Sequence, residues 1–513
     1  MSLDLLDYLD RWKSRFDPEC AGELEALLRS IAASRLSEAA DLIRLHETLL
    51  FLRAYPLTPA VARLADRILF GFADRVAGVD PASFQEPVVS GIAGTSLSAV
   101  FSYEVARGLV ARHPKSVEIA WDGEGDSANL GPALSKILPL VAEDWPVEAH
   151  VPFRRWVATA RPGGRSDLAW LLQWVDAASY DAMQLPLTWD IGTGPTSRSR
   201  LRLPGRKLFY HREPLLGRAD VSLEGQLAGP PLPVRRLARA EARKILDLIL
   251  DTSSMRYREL YGFSHPDHSA VFHTDAGRGV DVYFFGVPPE RRLPLRAYHA
   301  GAFFKNGVPA GYVELLSLFE RAEVGFNLYY TFREGESAWL YARLLRLFHQ
   351  VLGVSCFTVD PYQIGLENPE AVDSGAFWFY RKLGFRPVAP EAARLTEREE
   401  LRMRRKPGYR SSKRTLERLA RTYLIYEGTG VRKGEWDRFT IRNLGLTVQR
   451  AMSRASATGI LEAIPGFSQW SSSERAAAAK VFAAKRSGQE TRYLRLMQRH
   501  RRLRAALLAL GSR

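Results

Sequence analysis

Three short apolar runs separated by two helical patterns lie between residues 325 and 388, and this alternation constrains the fold more than any other feature of the chain. Residues 325–332 and 354–359 are rich in β-branched and aromatic side chains, as buried strands are. Residues 337–352 carry apolar side chains along one helical face and stop at Gly353. The alternation predicts a sheet covered by helices.

The second helix and last strand of this alternation come from residues 373–387, DSGAFWFYRKLGFRP. Ser374 or Asp373 is expected to cap the helix, and Gly384 supplies the left-handed residue that ends it. Apolar side chains recur before that glycine at helical spacing, at Ala376, Phe377, Tyr380 and Leu383. Phe385 then leads into a strand, so the order is strand, tight turn, helix, strand, helix, strand.

The spacing A-x-x-F-Y-x-K-L-G-F at residues 376–385 resembles the last helix and strand of the GNAT superfamily of acyl-CoA-dependent acyltransferases. The resemblance implies that Tyr380 lies near the sulfur of coenzyme A and protonates the departing thiolate. From the residues alone, Tyr380 can equally be a packing partner of Phe385. The order of predicted elements matches the family over residues 234–390. The expected fold is therefore α/β (α+β), with a GNAT-like mixed central sheet and flanking helices.

The turn at residues 333–338, REGESA, joins a strand directly to a helix, where free N–H groups and the helix dipole favour a phosphate. It resembles the pyrophosphate loop of the same family, Q/R-x-x-G-x-G/A. Arg333 matches the first position and Ala338 the last, but Gly335 comes one residue early and Glu336 replaces the expected glycine. A carboxylate there should repel the pyrophosphate, so a glycine in its place should tighten binding. Alternatively, the two glutamates of the turn simply complement the helix dipole.

The resemblance implies transfer of an acyl group, in the first instance acetyl, from acyl-coenzyme A to an amine acceptor, a small molecule or a protein. Backbone N–H groups of a splayed strand are expected to stabilise the oxyanion. The expected coenzyme A contacts are Asn327, Leu328, Tyr329, Tyr330, Arg333, Gly335, Ser337 and Ala338. The candidate general bases are Glu314, which is preferred, Glu323 and His299. No metal is expected to take part.

An antiparallel meander is predicted upstream of this region. Residues 298–304 and 308–315 flank Asn306 and Gly307, a dipeptide typical of hairpins. A second hairpin is predicted to join residues 270–274 with residues 280–287. Ahead of it, a short strand is predicted at residues 234–237 and a helix at residues 241–250.

The remainder of the chain is predicted to form three further regions. Residues 1–115 carry helical apolar stripes and are expected to form a helical domain. Residues 116–233 read as a mixed α/β region that ends in a proline-rich linker, and residues 391–513 as a basic helical region. In the mixed region, strands are predicted at residues 117–121, 185–191 and 201–210, and a helix at residues 168–175. An acidic turn there, Asp122, Glu124 and Asp126, is interpreted as an ordinary turn rather than a cation site.

The net charge of +15 is concentrated after residue 390. Such basic density binds phosphate backbones, which makes tRNA or another polyanion a candidate partner of the C-terminal region. The same density is typical of solvated helix faces, and no nucleic-acid-binding motif accompanies it.

Composition limits the remaining classes of protein. Two cysteines, Cys20 and Cys356, exclude a disulfide framework and suggest a reducing compartment. No apolar run approaches a membrane span and the first residues are acidic, so a cytoplasmic protein without membrane contact is expected. The cluster His265, Asp267, His268 and His273 is interpreted as loop residues rather than metal ligands.

Two other functions remain open. One is an aminoacyl-tRNA-dependent transferase on the same fold, which would use the basic surface for tRNA. The other is a noncatalytic GNAT-like binding or scaffold protein, in which the helical ends recruit partners.

Overall fold

The computed structural model describes residues 2–17, 19–123, 127–205, 207–451 and 459–512. The fold is mixed α/β, with one three-stranded sheet and one nine-stranded sheet. Helices pack on both sheets, which buries the apolar side chains that the sequence pattern places along them.

Five helices form the first part of the chain, as far as the structure describes it. Thr58 caps the fourth, because its hydroxyl accepts the N–H of Val61 at 3.2 Å, and Pro59 occupies the first turn. Residues 48–54 of the third helix are all buried, since this helix lies between the bundle and the large sheet. The five are α1 (Ser2–Trp12), α2 (Glu19–Ala33), α3 (Ala39–Ala54), α4 (Pro59–Phe70) and α5 (Phe72–Val76).

The small sheet has its own apolar core around Trp189. Its antiparallel strands, in the order β1-β3-β2, are β1 (Ser96–Val100), β2 (Val117–Ile119) and β3 (Pro186–Asp190). The helices around it are α6 (Tyr103–Arg112), α7 (Ser127–Ser135), α8 (Val141–Asp144), α9 (Phe153–Ala160), α10 (Asp167–Trp174) and α11 (Ala177–Met183). The strands predicted at 117–121 and 185–191 and the helix at 168–175 are confirmed. In the acidic turn, Asp122 lies in a 3-10 helix, whereas Glu124 and Asp126 lie outside the described residues.

The large sheet has the order β11-β12-β10-β9-β8-β7-β6-β5-β4. Strands β9 and β10 run parallel and the other neighbouring pairs antiparallel. The strands are β4 (Val234–Arg236), β5 (Val271–Gly277), β6 (Val280–Phe285), β7 (Ala297–Lys305), β8 (Val308–Leu318), β9 (Arg321–Leu328), β10 (Cys356–Val359), β11 (Arg386–Pro387) and β12 (Leu424–Glu427).

Both predicted hairpins are confirmed. Asn306 and Gly307 have φ values of 49° and 79°, the left-handed pair that a tight hairpin turn requires. The strand predicted at residues 325–332 is displaced, because Tyr330–Phe332 form a 3-10 turn and β9 ends at Leu328.

The strand predicted at residues 201–210 is wrong, since none of its described residues is in a strand. The segment crosses the end of the β7–β8 hairpin instead. Two of its backbone N–H groups are paired there, with Leu203 donating to the Gly307 carbonyl at 2.9 Å and Phe209 to the Asn306 side chain at 2.8 Å.

Seven helices accompany the large sheet. They are α12 (Leu223–Leu227), α13 (Arg239–Ser254), α14 (Tyr261–Ser264), α15 (Ser337–Leu352), α16 (Pro361–Ile364), α17 (Pro369–Asp373) and α18 (Ala376–Lys382). Helices α13 and α14 pack on one face and α15 on the other. The prediction of α15 is confirmed, including its end at Gly353 in the left-handed region. The predicted cap of α18 is wrong, because Asp373 ends α17 and Gly375, at φ 67°, precedes α18.

The C-terminal region contributes a strand as well as helices. Strand β12 lies between β10 and β11, so the large sheet extends beyond residue 390. One apolar cluster joins Leu45 of the bundle, Leu344 of α15 and Leu494 near the C-terminus. The helices of this region are α19 (Pro390–Arg405), α20 (Lys413–Leu419), α21 (Ile441–Ala451), α22 (Gly459–Glu462), α23 (Ser472–Arg486), α24 (Glu490–Arg499) and α25 (Arg501–Gly511).

Candidate functional site

Strands β9 and β10 separate partway along their length. Their parallel pairing ends where Glu323 faces Thr358, although β9 continues to Leu328. Over that continuation β9 pairs with β8 alone, up to Leu328 opposite Gly311. The backbone edge of β9 that β10 leaves therefore faces a gap, and such an edge carries N–H groups that no neighbouring strand accepts.

A cavity of about 290 Å³ lies at this gap. Phe326 and Asn327 both line it, although consecutive strand residues point to opposite faces of a sheet. Phe326 packs against Tyr341 of α15, while Asn327 pairs in register with Tyr312 on the face of α13. The cavity therefore connects the two faces of the sheet.

Tyr380 lines the cavity from α18 and is 3% exposed. Its ring packs against Tyr341 and Phe385, with ring centroids 5.4 and 5.8 Å away. Tyr380 therefore both packs against Phe385, the alternative that the sequence left open, and lines the cavity. Burial raises the pKa of Tyr380 above its ordinary value.

The turn at residues 333–338 lies beside the cavity, but its residues face different surroundings. Arg333 and Ser337 line the cavity, and Arg333 forms an ion pair with Glu370 of α17. Gly335 contacts the bundle, because a Cβ there would lie 2.4 Å from the hydroxyl of Tyr55. Ala338 is buried in the core.

Glu336 does not line the cavity, contrary to the expected repulsion of a pyrophosphate. It is 2% exposed and its carboxylate is enclosed by Arg278 and Lys305. The carboxylate also accepts the backbone N–H of Leu216 at 3.2 Å. The residue that departs from the loop pattern therefore belongs to an interior ion cluster, and the premise for tighter binding by glycine is wrong.

The remaining predicted contacts divide between two spaces. Asn327 and Leu328 line the cavity at the gap. Tyr329 and Tyr330 line a smaller adjoining recess, and Tyr330 is otherwise exposed to solvent. Tyr329 lies under the guanidinium of Arg256, 4.0 Å from the ring centroid.

The three candidate bases differ in position. Glu314 shares the α13 face with Tyr312, does not line the cavity, and accepts a short hydrogen bond from Tyr298; burial raises its pKa. Glu323 lies at the last β9–β10 pair, 3.5 Å from Arg296. His299 is buried, and burial lowers its pKa to about 4.

Sequence reasoning missed several residues at the cavity. Arg258, Tyr312 and Glu370 line it, and the first two lie on the side of α13. Arg258 follows a residue with positive φ, Tyr257 at 52°, just after α13. A basic pair around an aromatic residue at a helix end was the available signal, but the sequence does not show that this turn reaches the cavity.

The described residues also bear on metal binding and on membrane insertion. Within the described ranges, no three His, Cys, Asp or Glu side chains gather as a metal site would require. His273, from the histidine cluster of the sequence, has its Nε2 2.7 Å from Asp281 Oδ1. In the part of the chain that the structure describes, no helix is both long and apolar enough to cross a bilayer.

Comparison of the chain with protein-family models, with curated proteins and with solved structures gave no match. Functional assignment therefore rests on the residues and geometry of the cavity.

Proposed function

We propose that this protein is an acyl-CoA-dependent N-acyltransferase of GNAT-like fold. The gap between β9 and β10, with a cavity that connects both faces of the sheet, is the observation that carries the proposal. A gap of this kind lets the thioester arm of the donor enter from the α15 face and the amine acceptor from the α13 face.

The residues at this gap suit an acyl-CoA donor. Helix α15 begins at Ser337, and a helix N-terminus stabilises phosphate through free N–H groups and the dipole. Arg333 adds a guanidinium at the same end, although its pairing with Glu370 offsets part of that charge. The cavity is near the lower end of the usual volume range for ligand sites, which fits a narrow arm rather than a whole cofactor.

The proposed reaction is direct transfer. The amine nitrogen forms a bond to the acyl carbon, the carbon–sulfur bond breaks, and the sulfur leaves as a thiolate. Backbone N–H groups on the free edge of β9 stabilise the oxyanion, and Tyr380 supplies the proton that the thiolate takes up. Glu314 receives the proton of the amine through water, because it does not line the cavity itself.

Replacing Tyr380 by phenylalanine tests the assignment of the acid. We expect kcat for acyl transfer to an amine panel, followed through free thiol release, to fall about 100-fold, since general acid catalysis contributes on that order. Coenzyme A affinity, measured by calorimetry, should change little because the ring and its packing remain.

The matched control is Tyr341→Phe. Tyr341 packs against Tyr380, is fully buried, and has a hydroxyl with no hydrogen-bond partner among the described residues. Its kcat should stay near that of the unmodified protein. Unchanged turnover in Tyr380→Phe would exclude this residue as the acid, and failure to bind any acyl-CoA ester would reject the proposed function.

A further inference from the structure

The turn after α13 holds two arginines around a residue of unusual backbone conformation. Tyr257 has φ 52°, where bulky residues rarely occur. The turn is closed by two backbone hydrogen bonds, Tyr257 N–H to Ser254 at 3.0 Å and Arg258 N–H to Ser253 at 2.9 Å. Such closure normally uses glycine. Backbone strain of this kind is concentrated at functional sites.

Both arginines of this turn line a recess of about 40 Å³ beside the main cavity. The two spaces adjoin, because Arg258, Asn327, Arg333 and Glu370 line both. The recess has room for a small polar group, since one water needs about 10–15 Å³. A ligand in the main cavity can therefore extend a short group into it.

Positive charge exceeds negative charge around the recess. Four guanidinium groups line it, those of Arg198, Arg256, Arg258 and Arg333. Two of them have carboxylate partners. Arg198 Nη2 donates to both oxygens of Glu47, at 2.7 and 2.8 Å, and Arg333 pairs with Glu370.

The other two have no ion-pair partner among the described residues. Arg258 is exposed at the junction of the two spaces, and Arg256 is 7% exposed. Arg256 donates to the carbonyl of Thr252 at 3.0 Å and lies over the Tyr329 ring. The charge of Glu47 partly stabilises Arg256 without forming an ion pair with it. A buried guanidinium without a directly bonded carboxylate is costly unless an anion completes it, and most of its five N–H donors have no acceptor among the described residues.

We propose that this recess binds a carboxylate of the acyl acceptor, so that the substrates are amines that also carry a carboxylate, such as amino acids or peptide ends. The inference rests on the proposed function and names its substrate class. Arg256 and Arg258 line the recess from the side of α13, on which the acceptor approaches, and Arg333 of the turn before α15 borders it from the other side. A guanidinium fork matches a carboxylate or a phosphate, and a recess of about 40 Å³ favours the smaller, planar carboxylate.

Paired acceptors test this assignment on the full-length protein. An amino acid, its carboxamide and the corresponding amine without the carboxyl group are compared as acceptors at saturating acetyl-CoA. We expect KM for the acid to be at least about tenfold lower than for the other two, since a charge-assisted pair is lost in them. Arg258→Gln should raise KM for the acid by about the same factor and leave the carboxamide unchanged.

An exposed arginine on α19, Arg404, provides the matched control, because Arg404→Gln removes the same charge away from the cavity. It should leave all three KM values unchanged. Equal KM values for acid and carboxamide in the unmodified protein would overturn the carboxylate site while acyl transfer itself stands. Preference for an amine bearing a phosphate monoester would likewise overturn it.

Loss of the proposed function gives a different result. If no amine is acylated and no acyl-CoA ester binds, the melting temperature is measured with the amino acid alone and with its carboxamide. Stabilisation by the acid that disappears in Arg258→Gln supports the recess by itself. Absence of stabilisation by the acid at millimolar concentration rejects it.

Discussion

Glu336 connects two hairpin turns of the large sheet through charge. Its carboxylate meets Arg278 from the β5–β6 turn and Lys305 from the end of β7. Lys305 is also enclosed by the rings of Tyr55 and Phe209, at 4.6 and 5.4 Å from its Nζ, and burial lowers its pKa to about 7. Glu336 therefore contributes to the stability of the fold rather than to ligand binding.

Glu336→Gln should lower the free energy of unfolding by about 3 kcal/mol, because removing one partner leaves buried charge uncompensated. Urea denaturation measures the change. Glu334→Gln is the control, since Glu334 is 65% exposed and its pair with Lys13 should contribute about 1 kcal/mol or less. Equal losses in the two variants would contradict the ion cluster.

At the scale of elements, the N-terminal bundle supports the turn between β9 and α15. Three contacts join them: Glu47 accepts a hydrogen bond from Thr331, Lys13 pairs with Glu334, and Gly335 lies against Tyr55. Glu47 lies in α3, and Tyr55 is the residue that ends this helix. Glycine is required at residue 335 by this close approach, so the bundle and the proposed phosphate loop are coupled.

Gly335→Ala should lower the free energy of unfolding by about 1–3 kcal/mol through overpacking and raise KM for acyl-CoA, since the loop must move away from Tyr55. Urea denaturation and steady-state kinetics report the two effects. Gly22→Ala, in α2 with no atom within 4 Å of its Cβ, should instead stabilise the protein by about 0.5–1 kcal/mol. If Gly335→Ala combined with Tyr55→Ala shows purely additive losses, the two residues are not coupled.

At the scale of the whole molecule, the C-terminal region belongs to the large sheet. Strand β12 pairs with both β10 and β11, and Arg386 of β11 binds Glu427 and Asp437. Arg504 of α25 likewise pairs with Glu320 and Glu435. Arg504, one of the basic residues after residue 390, therefore holds the fold together, while Arg404 and its basic neighbours at the end of α19 are exposed. Binding of tRNA or another polyanion stays a prediction.

Acid should destabilise the whole protein through buried neutral histidines. Burial lowers the pKa of His299 to about 4. The negative charge of Glu490 opposes this shift, whereas the positive charges of Lys485 and Arg292 add to it. Between pH 6.5 and 4 the unfolded chain binds a proton that the folded one does not, so the stability present above pH 6.5 is lost as the pH falls. The loss attributable to His299 is on the order of 3 kcal/mol.

Urea denaturation at pH 7 and pH 4.5 tests this dependence. His299→Gln should flatten the fall in stability, because the titrating group is removed. The exposed His268 serves as control, and His268→Gln should keep the slope of the unmodified protein. The same slope in both variants would show that His299 does not carry the effect.

Elements whose causes are local can be predicted from the sequence. Helix α15 and its end at Gly353 follow from a leucine stripe and a left-handed glycine, and the β7–β8 turn follows from Asn306 and Gly307. These patterns lie within a few residues of what they determine, so they can be read without the fold.

The other features depend on contacts between residues that are far apart in the chain. The tertiary structure turned Glu336 toward Arg278 and Lys305, inserted β12 between β10 and β11, and brought the Arg256–Arg258 turn to the gap beside β9. The segment at 201–210 has strand-like composition, yet two of its backbone N–H groups donate to a hairpin turn. Which partner satisfies a charge or a backbone group is set by long-range packing, and local spacing carries no record of it.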